Sequence, residues 1–459
     1  MISMKESEPL KLTFCGGTGE ATGANFLLTD GVTKIVVDCG LHQGSKFADD
    51  ANRDPFLYEP SDIHFLLITH AHIDHIGRIP KLIKDGFVGE IISTAPTKII
   101  ASLMFDDALK IMEQEARQEG TSALYGRVDV EKALGLWRTV SYHEVTALNE
   151  SVSVYFRDSG HVLGSAMIEV QMGGKKILFT GDLGNSPSSL LPDTEEITGV
   201  DYMVMESVYG DRNHEMRGER REMLKRVILE GIARGGAIII PAFALEKTQV
   251  LLYELNVLVE RNQLPQIPVF LDSPLAIHIT DVYRHYPELF NEVVRKEISA
   301  GDDVFSFPKL RFTPKMQQSV AIEETPNPKI IIAGSGMSNG GRILNHERMY
   351  LSDPTSTFLL VGYQAVGTLG RQIQAGEKRV SINNSVIPVK AVIETISGYS
   401  SHKDSDRLVD FVTSGVGTLK KVFVVMGEPK SSLFLTQRLR EYLNVDAVAP
   451  ESGQTVTLE

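Results

Sequence analysis

The chain contains very little cysteine. Only Cys15 and Cys39 occur among its 459 residues, which leaves no disulfide framework and favours a reducing compartment, so we expect a cytoplasmic protein. No apolar run reaches the roughly 18–20 residues that a membrane-spanning helix needs, and the first residues lack the apolar segment of a secretory signal. These absences argue against a disulfide-stapled secreted domain and against a membrane partner.

Basic residues are also in the minority. Lys and Arg number 46 against 59 Asp and Glu, which gives a formal net charge of −13. This balance argues against a protein whose whole surface is basic for non-specific nucleic-acid binding. It leaves a local basic groove open, and bound metal ions would themselves add positive charge to a site.

The patterns of strands and helices divide the chain into parts. A length of 459 residues exceeds one ordinary core and predicts two or three folding units. Residues 1–207 and 389–459 alternate short β-type runs with turns. Residues 208–388 instead contain apolar strands that each lead through a Gly- or Pro-marked loop into a helix, which predicts a parallel sheet flanked by helices. We therefore expect one domain interrupted by another, with joins near residues 208 and 388.

Two helices are predicted in the first part, over residues 99–118 and 130–140. In the middle part, the strand-to-helix units cover residues 237–261, 268–286 and 329–350.

Residues 68–76 read Ile-Thr-His-Ala-His-Ile-Asp-His-Ile and carry the strongest chemical signal of the chain. Because side chains alternate along extended backbone, His70 and His72 would share one side of the loop that follows the apolar run 65–68. Asp74 and His75 would begin the next helix and point at a second position nearby. Imidazole nitrogen and carboxylate oxygen are ligands that zinc takes readily, so the cluster predicts a metal site.

Four further polar residues follow predicted strands, namely Asp38, His161, Asp182 and Glu206. Each by itself is more often a turn or helix-cap residue. Together with the histidine cluster they supply the oxygen and nitrogen ligands of a two-metal hydrolase. Asp182 is the natural bridging carboxylate.

The pattern His70-x-His72-x-Asp74-His75 resembles the signature of the metallo-β-lactamase superfamily. In small-molecule hydrolases of that superfamily, the last His ligand follows the bridging Asp by a few tens of residues. Here the next plausible residue, His402, lies 220 positions after Asp182. This gap holds the predicted α/β insertion and resembles the β-CASP branch, which cleaves nucleic acids. Residues 206–212, 334–342 and 362–371 are similar to further motifs of that branch, so the likeness covers essentially the whole chain.

The resemblance implies an α/β fold, in which an αββα metallo-β-lactamase sandwich (residues 1–207 and 389–459) is interrupted by a β-CASP domain with a parallel sheet (residues 208–388). The substrate would lie between the two domains. The implied function is that of the RNA-processing branch, which resembles the catalytic subunit of pre-mRNA cleavage and polyadenylation and its bacterial and archaeal relatives. Such an enzyme would be a zinc-dependent ribonuclease that hydrolyses single-stranded RNA by a metal-activated hydroxide. Whether the protein forms a homodimer stays an open question.

Carried over by position, the resemblance assigns roles to the polar residues. The first zinc would be held by His70, His72, His161 and Asp182, and the second by Asp74, His75 and the bridging Asp182. Asp38 would bond a ligand His and fix its tautomer. Glu206 would orient His402, which is expected to face the scissile phosphate, so that Asp74, Glu206 and His402 are the predicted catalytic residues.

RNA contacts are predicted in the insertion. The Gly-rich loop that begins with Gly334, Ser335 and Gly336 lies between a strand and a helix, where backbone amides can cradle phosphate. The candidates for contacting the RNA backbone are Lys247, Arg342 and Arg371. For these three side chains, ordinary solvation at the surface is an equally open interpretation.

The pattern departs from the family at Met426. RNA-processing members complete the second zinc with the His of a His-Gly-Glu motif, whereas this chain reads Met426-Gly-Glu. A thioether is poorly suited to zinc in an oxygen-rich site. The second metal could bind weakly, the enzyme could use one zinc, or the chain could be a catalytically silent RNA-binding subunit.

Other substrates also stay open. DNA-processing members of the branch carry an apolar residue at the Met426 position, and a lactamase-type hydrolase of small molecules is a further alternative that the insertion argues against. With six of seven expected metal ligands and both Glu206 and His402 present, we favour an active ribonuclease.

Overall fold

The computed structural model of the protein describes residues 9–44, 46–214, 219–362, 364–365 and 367–459. Tyr363 and Val366, within the predicted motif 362–371, lie outside the described residues. The chain divides into two compact units. Unit 1 comprises Met1–Ser188, Asp193–Asn213 and His402–Glu459, and unit 2 comprises Ser189–Pro192 and His214–Ser401.

The strands of the described residues are, in chain order, β1 (Lys11–Gly16), β2 (Asn25–Thr29), β3 (Lys34–Val37), β4 (Phe65–Leu67), β5 (Glu90–Thr94), β6 (Trp137–Val140), β7 (Thr146–Ala147), β8 (Ser153–Asp158), β9 (Ala166–Met172), β10 (Lys175–Phe179), β11 (Tyr202–Met205), β12 (Ala237–Pro241), β13 (Val269–Asp272), β14 (Leu310–Phe312), β15 (Lys329–Ala333), β16 (Thr357–Leu360), β17 (Arg379–Ile382), β18 (Ser385–Pro388), β19 (Val392–Thr395), β20 (Lys421–Val424), β21 (Ala447–Val448) and β22 (Thr455–Thr457).

The helices are α1 (Lys46–Arg53), α2 (Ile73–Ile76), α3 (Ile79–Lys84), α4 (Ala95–Glu119), α5 (Arg127–Gly135), α6 (Arg220–Arg234), α7 (Lys247–Glu260), α8 (Pro274–Arg284), α9 (Glu292–Ser299), α10 (Met316–Val320), α11 (Ile343–Tyr350), α12 (Leu369–Gln374), α13 (Ser405–Thr413) and α14 (Pro429–Leu443). Short 3₁₀ turns lie at Pro60–Asp62, Pro287–Leu289 and Ser397–Tyr399. In the part of the chain described here, no helix is both long and apolar enough to cross a bilayer.

Unit 1 is built on two seven-stranded sheets, with the orders β22-β1-β2-β3-β4-β5-β6 and β21-β20-β11-β10-β9-β8-β7. Aromatic side chains from both sheets meet in the core between them. The ring centroids of Phe14 and Phe423 are 5.2 Å apart, and those of Phe26 and Phe179 are 6.2 Å apart. Alternation along β1 explains this placement, because Leu12 and Phe14 point inward while their neighbours are half-buried.

The second sheet is covered on its outer face as well. Met203 and Met205 of β11 pack with Leu408 of α13 and Leu435 of α14, whereas Val204 faces the core between the sheets. Burial on both faces accounts for the continuous apolar sequence of this strand. The layer order of helices, two sheets and helices confirms the predicted αββα fold.

Unit 2 contains a six-stranded sheet with the order β14-β13-β15-β12-β16-β19, in which every pair of neighbours is parallel, and a small hairpin of β17 and β18. The predicted parallel sheet is therefore confirmed. The connection after β12 leads by α7 to β13 on one side, and the connection after β15 leads by α11 to β16 on the other. The connections that leave the neighbouring strands β12 and β15 therefore run in opposite directions along the sheet, and right-handed crossovers place them on opposite faces, as at a switch point.

The prediction of a helix over residues 130–140 is wrong at its end. Helix α5 stops at Gly135, and Trp137–Val140 forms β6, which pairs in parallel with β5. The indole of Trp137 donates a hydrogen bond to the hydroxyl of Ser93 at 2.9 Å, which ties this edge strand to its neighbour. Aromatic and β-branched residues after a glycine favour a strand once a partner strand is present.

The second domain join stays a prediction near residue 388. In the structure β19 pairs with β16 over residues 392–395, and the compact unit 2 extends to Ser401. The first join was predicted near residue 208, and the main segment of unit 2 begins at His214. A short apolar strand carries no local mark of the sheet that it joins, so the sequence pattern could not distinguish the two sheets.

Candidate metal centre

The polar residues predicted as a site follow the carboxyl ends of strands that run in one direction. In the first sheet, β3 and β4 are parallel and lead to Asp38 and to the segment of His70. In the second sheet, β10, β11 and β20 are parallel and lead to Asp182, Glu206 and Met426. Parallel strands end at the same edge of a sheet, so these residues are brought together although they are far apart in sequence.

Four donor atoms converge, from His70, His72, His161 and Asp182, and all lie within 4.8 Å of one another. The distance from His72 Nδ1 to His70 Nε2 is 3.0 Å, and to His161 Nε2 it is 3.2 Å. The Nε2 atoms of His70 and His161 each lie 3.4 Å from Asp182 Oδ2. Three imidazoles and one carboxylate form the donor set that zinc takes in four-coordinate sites.

The protonation of this set suits a metal. Burial lowers the pKa of His72 and His161 well below the usual range, so both rings are neutral, which is the form that binds metal. Burial alone would raise the pKa of Asp182, but the imidazoles of His75 and His70 outweigh it and hold the pKa well below its usual range. The bridging position is therefore occupied by an ionised carboxylate.

His75 faces the other oxygen of the same carboxylate. Its Nε2 atom lies 3.3 Å from Asp182 Oδ1, and both atoms are buried without a hydrogen-bond partner among the described residues. Buried polar atoms that lack a partner are rare and costly. A cation held between them would satisfy both, so His75 and Asp182 fit a metal ion.

Asp74 lies in α2 beside His75, as predicted, but the second ligand set is looser than the first. Within the described residues, no group of three donors that includes Asp74 or His75 comes within 4.8 Å. Burial raises the pKa of the Asp74 carboxyl above its usual value. The chain thus presents one compact set of ligands and, next to it, a weaker set.

Asp38 contacts His75 at Nδ1, the ring nitrogen that does not face Asp182. Its Oδ2 atom lies 2.7 Å from His75 Nδ1 and accepts the hydroxyl of Thr69 at 2.8 Å, while Oδ1 accepts the amide of Thr69 at 2.8 Å. This contact places the proton of His75 on Nδ1 and directs the lone pair of Nε2 towards Asp182. Burial would lower the pKa of His75, but Asp182 and Asp38 outweigh it and raise the pKa well above the usual range. The two carboxylates attract a cation here, whether a proton or a metal.

The loop of His161 is organised by a residue that the sequence did not single out. The hydroxyl oxygen of Ser165 accepts the amides of His161 and Val162, each at 3.1 Å, and pairs with the hydroxyl of Ser159 at 2.9 Å. Ser165 ends the segment Asp-Ser-Gly-His-Val-Leu-Gly-Ser, so its spacing from His161 was the available signal.

Gly181 sets the position of Asp182. It has a φ of +52°, and a Cβ atom there would lie 2.6 Å from the side chain of Thr69. Only glycine allows both this backbone conformation and the close approach of the two strand ends.

His402 and Glu206 pair beside the ligand cluster. Both carboxylate oxygens of Glu206 lie 3.3 Å from His402 Nδ1, and Asp182 Oδ2 lies 4.0 Å from the same nitrogen. Glu206 is buried and also accepts the amide of Leu183 at 2.6 Å. Burial would lower the pKa of His402, but Glu206 and Asp182 outweigh it and raise the pKa to about 9. The pair of carboxylates therefore favours the protonated form of the ring, which can donate a proton.

Met426 occupies the predicted ligand position with a side chain that packs in the core. It is 3% exposed and belongs to the cluster between the two sheets. Its amide donates to the carbonyl of Gly17 at 2.7 Å, and its φ is +49°. Its thioether sulfur lies so close to Gly17 that a Cβ atom there would be 2.6 Å away. The side chain therefore contributes packing at this strand end.

The two motifs of the insertion contact each other in unit 2. The side-chain amide of Gln364 donates to the carbonyl of Gly336 at 3.0 Å, and the amide of Gly370 donates to the carbonyl of Met337 at 3.1 Å. The loop that contains Gly334, Ser335 and Gly336 is thus braced by the segment that carries Arg371. Arg371 itself is exposed, and its guanidinium contacts Gln374 at 3.3 Å.

The other two predicted RNA contacts have internal partners. Arg342 donates to Asp272 at 2.7 Å and to the carbonyl of Pro314 at 2.9 Å. The ammonium of Lys247 is buried and donates to the carbonyl of Tyr399. Burial lowers the pKa of Lys247. In this structure both side chains hold protein segments in place, and their predicted contact with RNA stays a prediction.

Two packed sheets with outer helices and a His/Asp cluster at their strand ends define a metal-dependent hydrolase of the metallo-β-lactamase type. Comparison with known proteins agrees with this class. Residues 19–230 match the metallo-beta-lactamase superfamily, residues 248–373 match the Beta-Casp domain, and residues 386–450 match the Zn-dependent metallo-hydrolase RNA specificity domain.

Among curated proteins, the chain is 34% identical to Ribonuclease TTHA0252 of Thermus thermophilus over 92% of this chain and 94% of that protein. It is 30% identical to Transcription termination factor FttA of Methanosarcina mazei over 98% of this chain and 72% of that protein. A crystal structure of a protein of unknown function from Enterococcus faecalis V583 shares the fold, with a TM-score of 0.57, 12% identity and coverage of 98% of this chain and 100% of that one. The chain belongs to the β-CASP branch of the metallo-β-lactamase superfamily.

Proposed function

We propose that the protein is a zinc-dependent ribonuclease that hydrolyses phosphodiester bonds in single-stranded RNA. The observation that carries the proposal is the ring of His402, which is paired with the buried Glu206 at 3.3 Å and lies 4.0 Å from the Asp182 carboxylate of the ligand cluster. Such a pair supplies a proton donor next to a metal, which phosphodiester hydrolysis requires. The similarity to Ribonuclease TTHA0252 supports RNA as the substrate.

Zinc bound by His70, His72, His161 and Asp182 would supply a water with a pKa of about 7 and neutralise charge on the phosphoryl oxygens. His402 donates a proton to the leaving oxygen. Glu206 keeps His402 protonated and fixes its ring, and Asp38 does the same for the tautomer of His75. The buried carboxylate of Glu206 thereby acts through His402 and does not touch the substrate.

The RNA strand is proposed to contact the edge of the parallel sheet in unit 2 as well. In open parallel sheets, ligands bind outside the carboxyl ends of the strands at a switch point, and here that point lies between β12 and β15. Gly334, Ser335 and Gly336 lie in the loop that follows β15, and the exposed Arg371 lies in the segment that braces it. Lys247 and Arg342 would support these contacts by holding the loops.

We propose that each chain binds one zinc ion tightly. A second zinc ion would be held weakly by Asp74, His75 and Asp182. The looser second ligand set and the packed thioether of Met426 support this assignment. The same feature favours one alternative function, a catalytically silent RNA-binding subunit. The free cysteines Cys15 and Cys39 support a cytoplasmic location, and the homodimer stays a prediction.

Cleavage of a 5′-labelled single-stranded RNA in the presence of zinc tests the proposal. We expect cleavage by the natural chain and its loss in Asp182→Asn, which removes the shared ligand. Asp193→Asn, which changes an exposed carboxylate nearby, is the matched control and should cleave normally. DNA of the same sequence and a chromogenic β-lactam test the other substrates. A folded natural chain that binds RNA without cleaving it would establish the silent subunit instead.

A further inference from the structure

Two side chains extend outward from His402 on the segment that supplies Glu206. The ring centroid of Tyr209 lies 6.1 Å from that of His402, and the guanidinium carbon of Arg212 lies 5.2 Å from the centroid of Tyr209. Tyr209 is buried, whereas the side chain of Arg212 is 50% exposed. His402, Tyr209 and Arg212 thus form a row that runs from the ligand cluster to solvent, within unit 1.

The charge of Arg212 is available to a ligand. Its Nε atom lies 3.6 Å from Asp211 Oδ1, which is longer than a hydrogen bond. Asp211 is satisfied without it, because it pairs with the ammonium of Lys430 at 3.0 Å and the hydroxyl of Ser431 at 3.0 Å. A cation that faces solvent beside a satisfied carboxylate loses little when it turns to an anionic ligand.

The backbone of Arg212 is fixed relative to His402. Its carbonyl accepts the amide of Ser405 at 3.1 Å, three residues after His402, and its amide donates to the carbonyl of Tyr209 at 3.3 Å. The neighbouring Arg438 gives a contrast, since its guanidinium is committed to Ser405 and Asp406 at 2.6 and 2.7 Å. The backbone of Arg212 is therefore held in place by hydrogen bonds, whereas its guanidinium is not committed to a close partner.

We infer that Arg212 binds the RNA phosphate next to the scissile one, on the side of the leaving group, and that Tyr209 is the positioning residue between Arg212 and His402. The inference rests on the proposed ribonuclease function, in which His402 protonates the leaving oxygen. The row begins at His402, so a strand that continues past the leaving oxygen would follow it. In a chain with a net charge of −13, a cation at this point offsets the repulsion of an incoming phosphate.

Salt dependence of RNA binding tests the inference separately from cleavage. Binding of a fluorescein-labelled, cleavage-resistant analogue of single-stranded RNA to the zinc-loaded protein is measured by anisotropy at several NaCl concentrations. We expect Arg212→Ala to weaken binding several-fold and to reduce the slope of log affinity against log salt by about 0.7, the value for one phosphate contact on a single strand. Arg212→Lys should keep the slope, because it keeps the charge. Arg117→Ala removes another exposed charge of unit 1, 77% exposed on α4, and should leave both quantities unchanged.

A double-mutant cycle, which combines a modified RNA with the Arg212→Ala variant, then locates the phosphate. Once the cleaved bond is mapped, the phosphate on its leaving-group side is replaced by an uncharged methylphosphonate. We expect the natural chain to bind this RNA more weakly than the unmodified RNA. Arg212→Ala should bind the two RNAs with equal affinity, because the charge that contacts this phosphate is already absent. An unchanged salt slope in Arg212→Ala, or equal losses in both proteins on the methylphosphonate, would overturn the inference while leaving the ribonuclease function intact. Absence of RNA binding and cleavage by the natural chain would overturn both.

Discussion

Met426 is the residue to which we attribute the proposed weakness of the second metal site. Replacing it with His restores the imidazole expected at this position for the second zinc, and His is among the residues that tolerate the left-handed backbone found here. We expect Met426→His to raise the zinc content from about one to about two ions per chain after dialysis against low zinc. Elemental analysis by mass spectrometry measures this directly.

Met426→Leu is the matched control, because it keeps the packing of the core without adding a ligand. It should retain the zinc content of the natural chain. Two ions in the natural chain under the same dialysis would contradict the assignment of a weak second site.

Asp38 is proposed to affect metal binding through its contact with His75. In Asp38→Asn the side chain no longer carries the charge that favours the proton on His75 Nδ1, although its shape is kept. Loss of such an outer partner lowers metal affinity about 10–100-fold in other sites, and we expect a loss in this range for the weaker ion. Competition with a chromogenic chelator measures it. Asp30→Asn, which affects a carboxylate of a surface turn, should leave the affinity unchanged.

The residues of the site differ in how far the sequence could predict them. The convergence of His70, His72, His161 and Asp182 was predictable, because metal binding demands particular donors and strand ends place them. The environments of Arg342 and Lys247 were not, because their partners come from distant positions. Arg342 pairs with Asp272, which is 70 residues away, and no local pattern marks that contact.

At the scale of elements, Asp272 joins four segments of unit 2. It is the last residue of β13. Its carboxylate accepts hydrogen bonds from Thr313, Ser319, Arg342 and His346 at 2.6–2.8 Å. Burial would raise the pKa of Asp272, but these donors outweigh it and lower the pKa to about 2 from its usual 3.8. The carboxylate thus ties the loop of Gly334–Arg342 to the sheet.

Asp272→Asn tests this connection. A lowered pKa stabilises the fold at pH values above about 4, and the contribution, about 2 kcal/mol, is lost as pH falls from about 4 to 2. We expect Asp272→Asn to destabilise unit 2 by about 3 kcal/mol at pH 7, because Arg342 is left without its buried partner. The difference in stability between the two proteins should shrink below pH 4. Urea unfolding with chelator present, at a series of pH values, measures both effects.

Asp281→Asn is the control for this prediction. Asp281 pairs with Arg284 on the surface of α8 and is 52% exposed, so its loss should cost less than about 1 kcal/mol at any pH. A constant difference between Asp272→Asn and the natural chain down to pH 2 would contradict the assigned role.

Element boundaries show what periodicity can predict. The long helix α4 and the parallel strands β12, β13 and β15 were predicted from their own patterns of apolar residues. The strand β6 was missed, because a run of four residues becomes a strand only when β5 lies beside it. Sheet partnership is a tertiary property, and for the same reason the sequence did not show that β19, beyond the join predicted near residue 388, pairs with β16 of unit 2.

At the scale of the whole molecule, the two units have separate cores. Unit 1 has apolar clusters on both faces of its second sheet, and unit 2 has a cluster of its own around β12, β15 and β16. The predicted metal ligands all lie in unit 1. Asp272 lies in unit 2. The two units should therefore respond to different perturbations.

Differential scanning calorimetry with and without a chelator tests this division. Zinc at a thousand times its dissociation constant stabilises the state that binds it by about 4 kcal/mol, which corresponds to a shift in Tm on the order of 10 °C for a unit of this size. We expect two transitions, of which the chelator lowers only that of unit 1 and Asp272→Asn lowers only that of unit 2. A chelator and Asp272→Asn that lower one and the same transition would show that the units unfold together, and a chelator without any effect would remove the structural support for a bound metal.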